Sequence, residues 1–213
     1  GGAVGVLAVW TSSAPALDPA GLELLHALSS YAAMHLEHAR SYGQIRDTAE
    51  RDPLTHLRNR RAFDAIFTAE RMRFERYGRP VSLLIADLDH FKRINDTWGH
   101  EAGDEVLRRM AGLLTASIRD VDTAARFGGE EFVVLLPETP LRAAMEVAER
   151  IREAVAETKV PWAQDMIPLS VSIGVSCCPS TAAEPGELIA TADAALYRAN
   201  AEGRNRTVAA ASV

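Results

Sequence analysis

The chain has 213 residues, a formal charge of −6, 47% hydrophobic and 24% charged side chains, which fits one domain with an extension or two small ones. No basic run stands out, which argues against a nucleic-acid partner held by a phosphate-tracking surface. A small polyanion bound through carboxylates and a divalent metal stays open.

Residues 1–10 are apolar but too short to cross a bilayer, and they carry no basic leader, so a cytoplasmic chain without a membrane partner is expected. Val4, Val6, Ala8 and Trp10 read as a short strand stopped by Thr11-Ser12-Ser13. Asp18-Pro19 then opens a helix, with an N-cap carboxylate and proline at the first helical position. Leu22, Leu25, Ser29, Ala32, Leu36 and Ala39 follow near heptad spacing, and only Gly43 interrupts the pattern before residue 49. A helix of about 30 residues would be about 45 Å long, a stalk rather than a globular element.

Asp52-Pro53 breaks that helix and starts a second domain. Residues 61–77 read as a helix ending at Gly78, and 81–86, solidly apolar, as a buried strand. Residues 103–118 form an amphipathic helix with Val106, Leu107, Met110, Leu113 and Leu114 on one face. Strands 123–127 and 130–136 flank Gly128-Gly129, a hairpin signal because glycine takes positive φ without cost. Helix is expected at 141–157, strand at 168–178 and helix at 187–202; adjacent Cys177 and Cys178 read as two buried apolar residues at a strand end. The order β-α-β-β-α-β plus a last helix predicts an α+β, ferredoxin-like or palm fold, with a mostly antiparallel sheet and helices on one face.

Two acidic features carry chemistry. Asp87-Leu88-Asp89 closes a buried strand, where a carboxylate needs a partner: a divalent cation, or the N-terminus of a following helix that it caps. Glu130 and Glu131 follow the glycines at a tight turn, where like charges are unfavourable without a cation unless water solvates them. The strand and the hairpin share one sheet, so Asp87 and Glu130 could converge on shared metals, as two-metal phosphoryl transfer requires.

These motifs stand in an order that resembles GGDEF-type diguanylate cyclases over residues 52–206. Asp52-Pro53-Leu54-Thr55 and Asn59-Arg60-Arg61 look like the opening motif. Asp87-Leu88-Asp89-His90-Phe91-Lys92, Asn95-Asp96-Thr97-Trp98-Gly99-His100 and Gly103-Asp104 look like the central block. Arg126-Phe127-Gly128-Gly129-Glu130-Glu131-Phe132 matches the signature, and Ser172-Ile173-Gly174-Val175 with Gly203-Arg204-Asn205 complete the set.

The resemblance implies that Asp87, Glu130 and the Leu88 carbonyl hold two Mg²⁺ or Mn²⁺ per active site on the phosphates of GTP. It implies catalytic roles for Glu130, Glu131 and Lys92, and backbone approach to the phosphates at Gly128 and Gly129. Lys92 and Arg204 would balance triphosphate charge, Asn95 and Asp104 would read guanine, and His100 would lie near the substrate. For Asp104 the chemistry agrees: guanine offers N1–H and N2–H donors that adenine lacks, and a carboxylate only accepts. The implied reaction joins two GTP into cyclic di-GMP and releases two pyrophosphates, in a homodimer whose subunits each hold one GTP.

Arg119, Asp122 and Arg150 correspond to the family's product-binding inhibitory site, although Arg-x-x-Asp alone is also an ordinary i,i+3 surface ion pair. Two positions depart from the pattern: Asn200 where lysine is usual, and His56 where glycine is usual. A catalytically silent domain that binds GTP or cyclic di-GMP is the alternative reading. Gly5-Val6-Leu7-Ala8-Val9 and Leu36-Glu37-His38-Ala39-Arg40 resemble the end of a GAF sensor domain. The expected organisation is a sensor remnant at 1–17, a linker and dimerisation helix at 18–51, the cyclase domain at 52–206 and a tail at 207–213.

Overall fold

The computed structural model describes residue 21, residues 23–35 and residues 50–213, and divides into two units, Gly1–Ala49 and Glu50–Val213. In the first unit the described residues are helical, as the heptad pattern predicts. Its large exposed apolar side chains are Leu24, Leu28, Tyr31 and Met34, a different face from the expected row, in which Leu25 and Ser29 are half-buried. The expected strand at 1–17 lies outside the described residues, as do Leu22, Leu36 and Ala39. No described helix is long and apolar enough to cross a membrane.

The second unit is built around strand β2, Val81–Leu88, whose residues are all buried except half-buried Asp87. Alternate side chains of a strand point to opposite faces, so a continuous apolar run needs cover on both. Leu84, Ala86 and Leu88 join one core cluster, and Val81, Leu83 and Ile85 join another. Helices therefore cover both faces of the sheet, not the one face expected from the element order. Helices α2 (Phe91–Trp98), α3 (His100–Ala116) and α4 (Leu141–Glu157) supply side chains to the first cluster, and α1 (Arg60–Tyr77) and α5 (Leu188–Ala201) to the second.

Around β2 run β3 (Thr123–Arg126), β4 (Glu131–Leu136) and β7 (Val171–Cys178) in the order β3-β4-β2-β7, every neighbour antiparallel. That is the ferredoxin-like sheet of the predicted β-α-β-β-α-β order. Two short strands the periodicity missed extend it in parallel: β1 (Arg58–Asn59) beside β3, and β8 (Thr207–Ala209) beside β7. The predicted strand 168–178 is found as β7 with a start three residues later, and ahead of it β5 (Lys159–Trp162) and β6 (Asp165–Pro168), which were not predicted, pair as a separate hairpin.

Local signals set the helix ends. The Asn59 side chain accepts from the Ala62 amide and caps α1, and Gly78, at φ 64°, ends it while donating to the Phe74 carbonyl. Cys177 and Cys178 are fully buried free thiols at the end of β7, as expected.

Helix α5 lies directly on β7 at Gly174, where a Cβ would collide with the Ala192 carbonyl oxygen and the Leu196 amide. Both are backbone atoms, so neither can turn aside. Gly174→Ala is expected to cost about 1–3 kcal/mol or more, read as a lower midpoint in urea unfolding; an unchanged midpoint would mean that α5 is not seated on β7 in this way.

Candidate active site

Asp87 is the only β2 residue that is not fully buried, and it stands opposite Glu131 of β4 on one side and Ser172 of β7 on the other. Burial, and then the charges of Glu130, Glu131 and Asp89, push its carboxyl up to about 7, while Arg204 pulls it back. Burial and Glu131 also raise Glu130. The strand and the hairpin thus meet, as the sequence expected, in a crowd of acids that favours an added cation.

The tip is wider than a two-residue turn. Strand β3 ends at Arg126 and β4 begins at Glu131, with the Phe127 and Gly128 amides both donating to the Glu131 carbonyl. Neither Gly128 nor Gly129 takes a positive φ, which corrects the sequence argument for the pair. Gly128 matters for space instead: a Cβ there would come within 2.5 Å of the Glu131 carboxylate, and Gly129 opens to solvent.

An arginine the sequence analysis did not single out holds this tip. Arg126 Nη1 donates to both oxygens of Asp52 at 3.2 Å, and Nη2 and Nε donate to the Gly129 carbonyl at 2.7 and 3.2 Å. Asp52 also accepts from the Thr55 amide and hydroxyl, both at 2.8 Å. Burial works to raise the Asp52 carboxyl, but the Thr55 bonds and Arg126 outweigh it and hold the group below its ordinary value. The first residue of the opening motif is thereby tied to the acidic hairpin, 74 residues apart in sequence from Arg126.

On the other core face, α2 and α3 meet at Gly99, φ 87°. The pair brings Asn95 against Gly103, where a Cβ would strike the Asn95 side-chain oxygen, and so beside half-buried Asp104. Lys92 and His100 lie exposed on the same two helices. Trp98 Nε1 donates to Asp165 at 3.1 Å and links α2 to β6. The helix-cap reading of Asp89 does not hold: α2 has no side-chain cap, and His90 occupies that position at φ 58°.

Asp87, Gly129, Glu130 and Glu131 line a cavity of about 390 Å³ with Asp193, Leu196, Tyr197 and Asn200 of α5. The α5 residues were not predicted as site residues, apart from Asn200, which was noted only as a departure. The side-chain oxygen of Asn200 is buried with no protein partner among the described residues. Lys92, Asn95, His100, Asp104 and Arg204 do not line this cavity. Arg204 is exposed in the turn after α5, near enough to act on Asp87.

The donors suit a hard divalent cation, since they are carboxylate and carbonyl oxygens with no thiol or imidazole. Among the described residues no three such side chains are already converged to metal-binding distance. The fit therefore rests on donor chemistry and on crowded negative charge, not on a preformed cage.

Arg119 makes the ordinary ion pair: its Nε and Nη2 donate to the Asp122 carboxylate at 3.1 and 2.7 Å, and Nη2 donates to Thr139 at 2.9 Å. Arg150 Nη2 donates to the Ser117 carbonyl at 2.7 Å, so both arginines gather at the C-terminal end of α3.

The family model described as "Diguanylate cyclase, GGDEF domain" matches residues 49–206. The response regulator PleD of Caulobacter vibrioides is 42% identical over 168 residues, 78% of this chain and 37% of PleD. The diguanylate cyclase DosC of Escherichia coli is 44% identical over 156 residues, 73% of this chain and 34% of DosC. This chain thus spans about a third of the length of these two relatives. A crystal structure of the coiled coil and GGDEF domain of DgcB from Caulobacter crescentus, in complex with c-di-GMP, is 32% identical with a TM-score of 0.78, covering 87% of this chain and 99% of that one.

The Asp52 clamp has a pH signature. A carboxyl held below its unfolded value contributes stability above about pH 4, and that stability is lost as pH falls through the lower folded value. Asp52→Asn is expected to cost about 1–3 kcal/mol at neutral pH. The difference from wild type should stay level from about pH 7 to 5 and shrink below about pH 4 in urea unfolding; a cost independent of pH would remove the carboxylate from the clamp.

Proposed function

The chain belongs to the GGDEF family of diguanylate cyclases, and on that premise we propose that it condenses two GTP into cyclic di-GMP, releasing two pyrophosphates. The observation that carries this reading is Asp87, pushed up to about 7 by burial and by the neighbouring acids at the rim of a cavity. In each of two successive steps a 3′-hydroxyl oxygen bonds to the α-phosphorus of the other nucleotide, the bond to pyrophosphate breaks, and the hydroxyl proton is lost.

Asp87, Glu130 and the Leu88 carbonyl would hold two Mg²⁺ or Mn²⁺, which when bound neutralise phosphate charge. Glu131 adds negative charge beside them. The open backbone at Gly129 lets the hairpin approach the phosphates, and Gly128 leaves room for the Glu131 carboxylate folded against it. Lys92 and Arg204 balance triphosphate charge, and His100 lies near the nucleotide. Asn95 and Asp104, gathered at the α2–α3 junction, select guanine because adenine would leave the carboxylate unpaired.

Each subunit binds one GTP, so a homodimer sets two sites face to face. Residues 18–51 serve as the dimerisation helix, with exposed Leu24, Leu28, Tyr31 and Met34 as an available row. Residues 1–17 are the end of a GAF-like sensor, and the chain works in the cytoplasm. Arg119, Asp122 and Arg150 bind the product and inhibit: guanidinium forks suit guanine edges and phosphates, and Asp122 accepts from guanine N–H groups.

Glu130→Gln or Asp87→Asn is expected to lower cyclisation by at least about a hundredfold with circular dichroism unchanged, since a neutral amide cannot offset metal charge. Chromatography of products from GTP and Mg²⁺ reads this. Near-normal turnover would sink the metal assignment, and GTP binding without turnover by wild type would make the chain a silent module instead.

For the inhibitory site, wild-type reactions should slow before GTP is exhausted, while Arg119→Ala should run on to more product. Calorimetry with cyclic di-GMP decides it: equal affinity for both proteins, or none for wild type, would leave Arg119 and Asp122 as an ion pair only.

A further inference from the structure

We propose that Asp89 is a positioning residue for Arg204, holding the turn that follows α5 so that the Arg204 guanidinium faces the phosphate-binding end of β2. This rests on reading Arg204 as a contact to the triphosphate of GTP.

Asp89 is an acid only 5% exposed, and no cation pairs with it among the described residues. One carboxylate oxygen accepts from the Ser172 hydroxyl at 2.7 Å, and the other accepts from the Asn205 amide at 3.0 Å. Its own amide donates to the Ser170 carbonyl at 3.0 Å, which fixes the carboxylate against β7. Ser172 is fully buried, so the anchor on the sheet side is rigid.

The turn it grips is unusual backbone. Gly203, Arg204 and Asn205 have φ of 116°, 64° and 45°, three consecutive residues in conformations that L side chains resist. Such a turn persists only where surrounding contacts over-determine it. Asn205 is held from two sides, its amide by Asp89 and its side-chain oxygen by Arg152 Nη1 at 3.0 Å. The Arg204 amide donates to the Ala199 carbonyl at 3.0 Å, and the Arg206 carbonyl accepts from the Ile173 amide at 2.9 Å.

The Arg204 guanidinium itself makes no ion pair or hydrogen bond among the described residues, and it is exposed. Its fork is therefore available to an anion, and its charge is felt at Asp87. A carboxylate suits the Asp89 position because it accepts from both donors at once. An amide would keep its oxygen on the Asn205 amide only by turning its NH₂ to the Ser172 hydroxyl, which must then accept and find another partner for its own proton. Both bonds would also lose their charged acceptor.

The test is a double-mutant cycle on the full chain, reading affinity for a non-hydrolysable α,β-methylene GTP with Mg²⁺ and, in parallel, KM and kcat with GTP. Arg204→Ala and Asp89→Asn should each weaken binding roughly tenfold, raising KM more than kcat falls. The double variant should be no weaker than Arg204→Ala alone, since Asp89 acts through that side chain.

Ser172→Ala removes one of the two bonds with less risk to folding. It should give a smaller weakening that disappears in the Arg204→Ala background. If the effects multiply, or if Asp89→Asn or Ser172→Ala lowers the melting temperature and leaves affinity unchanged, Asp89 is a structural anchor only and the proposal falls alone. If wild type binds no nucleotide, the active-site reading falls and takes this one with it.

Discussion

Strand β2 is buried from Val81 to Ala86 and again at Leu88, yet between them stands a half-buried acid, Asp87. Asp87 stands in register with Glu131 on one neighbour and with Ser172 on the other. In such a place ionisation is costly, and the nearby acids raise the cost further, so the carboxyl sits near 7. A fold that only needed to be stable would place an apolar or small residue there. A carboxylate at that point makes added positive charge favourable at the sheet end.

Two polar ties hold the neighbourhood in shape. Arg126 bridges Asp52 and the Gly129 carbonyl, so the start of the domain and the tip of its hairpin move together. Asp89 bridges Ser172 and the Asn205 amide, so the end of β2 and the turn after α5 do the same. Both are carboxylates that accept from more than one donor, at partly or fully buried positions. Truncating either would leave donors without partners, which costs more than the bonds are worth in isolation. Between the ties, α5 rests on β7 because Gly174 has no side chain, and this brings Asp193, Tyr197 and Asn200 to the cavity.

The charged clusters separate by environment. At the sheet end the acids face one another and a nearby arginine, Arg204, whose guanidinium is unpaired among the described residues. At the C-terminal end of α3, Arg119 already satisfies Asp122, whose side chain is almost wholly buried. The first cluster favours added positive charge, whereas the second presents an arginine fork that is 59% exposed and partly engaged. One sheet thus carries two polar sites of opposite demand, with β3 and β4 between them.

Much of this was legible from residue order alone. The solid apolar run at 81–86 marked a buried strand, the 3.6 period marked α1, α3 and α4, and Gly78 marked a helix end. The order of elements pointed to the antiparallel sheet and to Asp87 and the acidic hairpin lying in it, whereas the Asn95–Asp104 pair came from the family resemblance. Other features could not be read this way, because they depend on what lies across the sheet. An apolar run says that a strand is covered but not by which helices, so the second helical face was missed. The glycines at 128 and 129 promised a tight turn, yet Gly128 proved to be needed for the Glu131 side chain folded over it. The clamp of Arg126, the anchor of Asp89 and the acid at Asp193 join residues distant in sequence. The chain by itself determined which residue types were available and the periods that sort them into strands and helices; packing in three dimensions decided which of them meet, because burial and neighbouring charge exist only once the sheet has closed.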